Sequence, residues 1–214
     1  MSEPLTTPGK LLQVEQTSIG GNFVFEQAEL EICFLTPDLV QIDWKPGVRP
    51  VPYGIVHQEW SEVKTTLEKD ERSVVSSSAL KVVVTTNGSL EFQNANGQTI
   101  RQELPPLDQG EKWVHQAQLR LEERIYDLGE RATSLDLRRP KSKKQQVAAY
   151  RMWNSDKPGK YGSGIDPLYL CIPTYLGLYQ GGSYLVFYEN SYLATFSFLL
   201  GGWSISTHCS VSFH

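Results

Sequence analysis

The 214-residue chain has little of what marks a metal, redox or disulfide-stapled protein, with three cysteines and four histidines scattered along it. The cysteines, Cys33, Cys171 and Cys209, are odd in number and far apart, which excludes a disulfide framework and a paired-cysteine zinc site and leaves reduced, buried thiols as the expectation. His57-Gln58-Glu59 has the H-x-E spacing of zinc deaminases, but no P-C-x-x-C follows to supply the other ligands. His57, His115, His208 and His214 share no ligand spacing, so no metal is expected. There is no P-loop, no Gly-x-Gly-x-x-Gly fingerprint and no serine nucleophile elbow, so no cofactor is expected either. Long apolar runs are absent, and Met1 to Gln16 lacks a basic start followed by an apolar stretch; a cytoplasmic protein with no membrane partner is expected. A net charge of −4 and a pI near 5.6 give no general attraction for nucleic acid or anionic lipid. The basic run from Arg138 to Lys144 carries no interleaved aromatic residue and reads as a solvated loop.

What is present is material for a β-rich core. Hydrophobic residues make up 40% of the chain, with ten tyrosines, eight phenylalanines and five tryptophans, which is enough to bury a sizeable interior. Residues 1–20 read as a loose leading segment and residues 21–214 as one domain. Short runs such as Phe23-Val-Phe-Glu26, Leu30 to Leu35 and Leu39 to Trp44 are separated by turn residues and read as strands. In the last of these, Val40, Ile42 and Trp44 alternate with polar positions, as in a sheet covered on one side. Asn87-Gly88 and Asn96-Gly97 punctuate three further strands between Ala79 and Leu104 and predict type I′ hairpins. The Asn87-Gly88-Ser89 sequon is therefore read as a turn. Between Glu111 and Tyr126 the spacing fits both a helical stripe and an alternating strand. Strands are expected again at Leu168 to Ile172, Tyr184 to Tyr188, Ala194 to Phe198 and, by strict alternation, Ile205 to Phe213. Many strands and few or no long helices together predict an all-β fold, a large antiparallel β-sandwich.

Four blocks occur in order: Ile125-Tyr-Asp-Leu-Gly-Glu-Arg131, Met152-Trp-Asn-Ser-Asp156, Asp166-Pro-Leu-Tyr-Leu-Cys-Ile-Pro173 and Phe187-Tyr-Glu-Asn-Ser191. Together they resemble the N-terminal domain of glycoside hydrolase family 31, the α-glucosidase and α-xylosidase family. The resemblance implies a galactose-mutarotase-like sandwich packed on a catalytic barrel that these residues do not include. It also favours strand for the second half of Glu111 to Tyr126. Glycosidic hydrolysis needs two carboxyl groups. In the resembled family both lie on barrel strands, so no catalytic residue is assigned here and this chain alone is expected to be inactive.

The resemblance places a substrate loop after Trp153-Asn154-Ser155-Asp156. Asp156 can accept hydrogen bonds from vicinal sugar hydroxyls, or cap a turn. Asn154 is ambiguous between sugar and loop backbone, and Trp153 is read first as a core aromatic and second as a stacking surface. Gly129, Glu130 and Arg131 read as structural support near the site, and Tyr169 as packing beneath it. Asp127 stands where the family more often has glycine. After Phe198 the resemblance weakens. The expected function is the N-terminal domain of a retaining α-glucosidase-like hydrolase whose partners are an α-linked glucoside and the barrel. A free-standing carbohydrate-binding module and a structural interaction domain are the alternatives.

Overall fold

The computed structural model describes residues 6–46, 54–57, 59–108, 112–139, 147–159, 161–189, 193–199 and 209–212, and among them every regular element is a strand. Two compact units divide the chain at residues 109 and 110, where the sequence reading has one domain from residue 21 onward.

The first unit is built from two meanders. β1 (Leu11–Gln16), β2 (Gly20–Phe25), β3 (Glu29–Thr36) and β4 (Leu39–Lys45) form one antiparallel sheet. β1 corrects the reading of residues 1–20 as a loose segment, since it pairs with β2 from Leu11 opposite Phe25 to Gln16 opposite Gly21. β5 (Thr66–Glu68), β6 (Ser73–Ser76), β7 (Leu80–Val84), β8 (Leu90–Asn94) and β9 (Thr99–Glu103) follow as consecutive antiparallel neighbours. The short β10 (Leu107–Asp108) is tied back by a bridge to Thr6. β2 packs across β5 and β6, and the buried side chains alternate as half-covered strands require: Phe23, Leu30, Ile32 and Phe34 on one sheet, Val75, Val82 and Val84 on the other.

Both Asn-Gly pairs make hairpins, but not of the expected type. Gly88 and Gly97 have φ of 88° and 79°, while neither asparagine has positive φ, so the type I′ geometry is absent. Instead Gly88 N–H donates to Thr85 O at 3.1 Å and Gly97 N–H to Asn94 O at 2.9 Å, each closing a type I turn followed by a left-handed glycine bulge. Asn87 acts through its side chain, Oδ1 accepting from Ser89 N–H at 3.1 Å, while in the second hairpin it is Asn94 Oδ1 that accepts, from Asn96 and Gln98 N–H at 3.0 Å each.

In the second unit, β11 (Lys112–His115) and β12 (Ala117–Gln118) settle the ambiguous stretch as strand, and a turn at residues 120–123 leads into β13 (Arg124–Gly129). β14 (Val147–Met152), β15 (Cys171–Tyr179), β16 (Gly182–Phe187), β17 (Ala194–Leu199) and β18 (Cys209–Ser212) complete it. Of the predicted last strand only residues 209–212 are described, as β18 paired with β11; the rest lies outside the described residues. The sheet β13-β15-β16 faces the pair β14-β17 through one aromatic core. Tyr175 meets Phe196 and Phe198 edge-to-face at 6.0 and 5.9 Å, and burying each ring contributes roughly 2–3 kcal/mol. Tyr150, also fully buried, donates its hydroxyl to Leu137 O at 2.9 Å, and burial holds that phenol above its ordinary pKa.

Two further readings are corrected. Arg138 is not part of a solvated run: it is buried, and its Nη1 donates to the carbonyls of Arg120 at 2.7 Å and Glu123 at 2.5 Å. Arg139 is exposed as that reading expects, and Pro140 to Lys144, the rest of the run, lie outside the described residues. Cys33 and Cys171 are free thiols, as expected, but are half-buried rather than buried.

β13 ends in an irregular turn that explains its sequence. Asp127, Leu128 and Gly129 have φ of 89°, 71° and 83°, and the pairing with β15 slips between Asp127 and Gly129. A Cβ on Gly129 would lie 2.4 Å from Leu170 O, so no other residue fits there. Asp127 tolerates its conformation because Oδ1 accepts from Gly129 N–H at 3.0 Å, which local hydrogen bonding makes possible for aspartate. We predict that Asp127→Gly changes stability by less than about 0.5 kcal/mol, whereas Asp127→Val costs about 1–2 kcal/mol. Urea unfolding checks this, and equal stability of the two variants would remove the strain account.

Candidate functional site

Three of the four sequence blocks of the second unit converge on one side chain. Arg131, just past the β13 turn, has a side chain only 2% exposed and pairs with the equally buried carboxylate of Asp166. Its Nε donates to Leu128 O at 3.1 Å, and its Nη2 lies against Met152 Sδ at 2.9 Å. The guanidinium also sits over the Tyr150 ring, 5.4 Å from its centroid. Arg131 thus joins the end of β14, where a loop leaves, to Asp166, where it returns. Backbone bonds close the same base: Gly164 N–H donates to Ala132 O at 2.5 Å and Ser155 N–H to Leu168 O at 2.8 Å. Gly129 and Arg131 are structural, as the sequence suggests, and the base of the loop is fixed by charge-assisted bonds rather than by apolar packing.

On this base the loop from Trp153 to Leu170 presents polar and aromatic side chains outward. Trp153 is 56% exposed, which corrects its reading as a core aromatic; the Arg151 guanidinium lies 5.9 Å from its ring centroid. It leaves the core because β14 alternates, with Tyr150 and Met152 pointing inward and Arg151 and Trp153 outward. Asn154 Oδ1 accepts from Cys171 N–H at 2.7 Å, which resolves its ambiguity toward the backbone for that oxygen and leaves its amide NH2 for other partners. Asp156 is exposed and hydrogen-bonds the Tyr169 phenol.

Sequence reasoning missed Tyr161 and misplaced Tyr169. Tyr169 does not lie beneath the site; it is 40% exposed, and its hydroxyl meets that of Tyr161, itself 57% exposed, at 2.6 Å. The hydrogen bond with Tyr161, partial desolvation and the hydrogen bond with Asp156 push the Tyr169 pKa up to about 12. The signal for Tyr161 was an aromatic residue in a stretch rich in Gly, Ser, Asp and Lys. Gly159, Gly162 and Gly164 surround it with open space where side chains would stand.

The first unit has its own open cleft of about 750 Å³, lined by residues including Trp60, His57, Thr36 and Ser77, none of them a predicted binding residue. His57 and Trp60 meet edge-to-face at 4.9 Å. Among the described residues no three His, Cys, Asp or Glu side chains come close enough to hold a metal ion.

Residues 29–196 match the family model for the glycosyl hydrolase 31 N-terminal galactose mutarotase-like domain. A comparison with the sequences of characterised proteins gives no match. Among solved structures, a variant of the Flavobacterium johnsoniae family 31 dextranase complexed with isomaltotriose aligns with a TM-score of 0.79 at 18% identity, covering 97% of this chain and 25% of that one. The cycloalternan-forming enzyme of Listeria monocytogenes, in complex with a pentasaccharide substrate, aligns at 0.68 with 13% identity, covering 96% of this chain and 21% of its own. A family 31 α-xylosidase from a soil metagenome, complexed with xylose, aligns at 0.66 with 12% identity over 95% of this chain and 32% of that one. At these identities the structures speak to the fold, and this chain spans only about a fifth to a third of these enzymes. The match over most of its length shows that the chain belongs to glycoside hydrolase family 31, as the N-terminal galactose mutarotase-like domain.

Proposed function

We propose that this domain serves a retaining α-glucosidase-type hydrolase, packing on a catalytic barrel and lending the Trp153–Leu170 loop to the pocket for an α-linked glucoside. One observation carries the reading: Trp153, Asp156, Tyr161 and Tyr169 are all exposed on one loop whose two ends are fixed by the buried Arg131–Asp166 pair. A flat ring beside a carboxylate and phenols suits a sugar, whose faces are apolar and whose edges are hydroxyls. The family relatives include structures holding isomaltotriose, a pentasaccharide and xylose. The catalytic carboxyl groups are proposed to lie in the barrel, which leaves to this domain the positioning of substrate.

A surface suited to the barrel is also present. On the outer side of β15 and β16, Ile172, Leu178, Leu185 and Phe187 are 39%, 44%, 65% and 39% exposed, with Leu176 opposite Leu185 between them. An apolar sheet face of this kind favours burial against another domain. Its proposed occupant is the remainder of a family 31 polypeptide, because the dextranase and the cycloalternan-forming enzyme are about four and five times as long as the region aligned.

Three measurements test the reading. The coding sequence beyond His214 is expected to continue in frame into a barrel with two aspartates on its strands; a native stop codon there would sink the enzyme reading in favour of a free-standing module. Calorimetry of the 214-residue chain with maltose is expected to show at most millimolar binding, because half a pocket offers few contacts, and tight binding would favour the module. In the full-length enzyme, Asp156→Ala should lower kcat/KM about 10-fold or more with an unchanged melting temperature. Unchanged kinetics would make Asp156 a turn residue.

The docking face makes a separate prediction. The isolated chain should self-associate with rising concentration in analytical ultracentrifugation, and Leu185→Lys should reduce this without unfolding it. A chain that stays monomeric at all concentrations counts against an apolar docking face.

A further inference from the structure

One of the four sequence blocks, Phe187 to Ser191, takes no part in the bonds of Arg131, whose described partners all fall within residues 128–171. Its carboxylate has a different distinction. Glu189 is half-buried, its Oε1 is closed off from water, and no group of the described chain donates to that oxygen. A carboxylate gives up hydration at such an atom and gains no bond in exchange. Four arginines of the unit are committed elsewhere: Arg131 to Asp166, Arg124 to Asp136, Arg120 to Glu123 and Arg138 to backbone carbonyls.

The position of Glu189 follows from the sheet. Tyr188 N–H donates to Pro173 O at 2.9 Å, which extends the β15–β16 ladder one residue past the pairing of Thr174 with Phe187. The Tyr188 ring turns inward, meeting Phe196 at 5.4 Å and His115 at 5.8 Å. Alternation then sends Glu189 to the outer side, in line with Leu185 and Phe187 and level with Ile172. Ile172 is also where β15 emerges from the sugar loop, directly after Cys171, whose N–H binds Asn154, and Leu170, whose carbonyl binds Glu130 N–H. Glu189 thus stands at the rim of the apolar outer face, on the side of the loop.

We propose that Glu189 is the charged anchor of the docking face: it receives a guanidinium or ammonium group of the catalytic domain and ties that domain to the root of the sugar loop. This rests on the proposed docking of the face against a barrel, and it deepens that reading by naming the partner's chemistry, a basic side chain at the loop end of an otherwise apolar contact. Ile172, Leu185 and Phe187 supply area, which is non-directional and would tolerate sliding. A single carboxylate among them sets the register, because any misplaced docking would bury it unpaired. A neutral hydroxyl could donate to Glu189 as well, but it would leave the negative charge uncompensated once the face is covered.

The same substitution in two settings tests the idea. Glu189→Gln keeps the shape of the side chain and removes its charge. In the 214-residue chain the carboxylate has nothing to lose, so this variant should melt at the parent's temperature or above it. In the full-length enzyme it should shorten the half-life of thermal inactivation about 3-fold or more, and Glu189→Lys, which sets like charges together, should shorten it further. If Glu189→Gln lowers the melting temperature of the 214-residue chain, the carboxylate has its partner inside this domain and the inference is overturned. A raised KM for maltose with an unchanged half-life would make Glu189 a sugar contact and overturn it too. Leu185→Lys in the full-length enzyme separates the two levels of the argument. If it shortens the half-life while both Glu189 variants do not, the docking face stands and the anchor fails; if all three variants behave like the parent, the docking face itself is wrong and the anchor falls with it.

Discussion

The second unit depends on a guanidinium taken out of water. Arg131 is nearly inaccessible, and a cation in that position is tolerable only when its hydrogens are matched. Asp166 supplies the counter-charge, the Leu128 carbonyl accepts from Nε, and the Tyr150 face lies alongside. Breaking such a pair by removing one member typically costs about 3–5 kcal/mol, more than most single contacts in the domain. The location explains why Leu-Gly-Glu-Arg, Met-Trp-Asn-Ser-Asp and Asp-Pro-Leu-Tyr occur together: they are three chain segments meeting at one charge. Gly129 belongs to the same constraint, because only a residue without Cβ brings the chain close enough to Leu170 for Arg131 to turn inward.

That arrangement separates rigidity from exposure. The aromatic core of Tyr150, Tyr175, Phe196 and Phe198 and the Arg131 cluster fix where the loop starts and ends, and the loop itself contributes almost nothing to the core. Its side chains are therefore free to serve a ligand. Recognition groups on a firmly anchored loop lose less entropy on binding than the same groups on a mobile one. The phenol pair at the tip extends the same economy outward by one hydrogen bond.

The all-β class and most strands were legible because alternation and turn residues are local signals: Phe23, Leu30, Ile32 and Phe34 announce their buried faces in sequence. Turn type was less legible, since Asn-Gly serves both the type I′ turn and the type I turn with a bulge; the choice is made by how many residues the flanking strands leave unpaired. Three errors share one cause. Arg138 looked solvated, Trp153 looked buried and Tyr169 looked like packing, because residue type predicts burial only on average. Arg138 is buried because its Nη1 donates to three carbonyls at the turn before β13, and Trp153 is exposed because the parity of β14 points it outward. Tyr161 carried no motif at all, and only folding brings it to Tyr169.

The two aspartates of the loop show how environment divides one chemical group into two roles. Asp166 is 3% exposed and spent on Arg131, so neither a sugar hydroxyl nor a water can reach it. Asp156, ten residues earlier, is exposed and tied only to a phenol, which leaves lone pairs open to a ligand. Glycoside cleavage asks for a second carboxyl group roughly 5–9.5 Å from the first, on the opposite side of the bond. Asp166 cannot be that group without abandoning Arg131 and, with it, both ends of the loop. In the proposed reading, then, the catalytic carboxyl groups belong to the neighbouring barrel and the loop only positions the sugar.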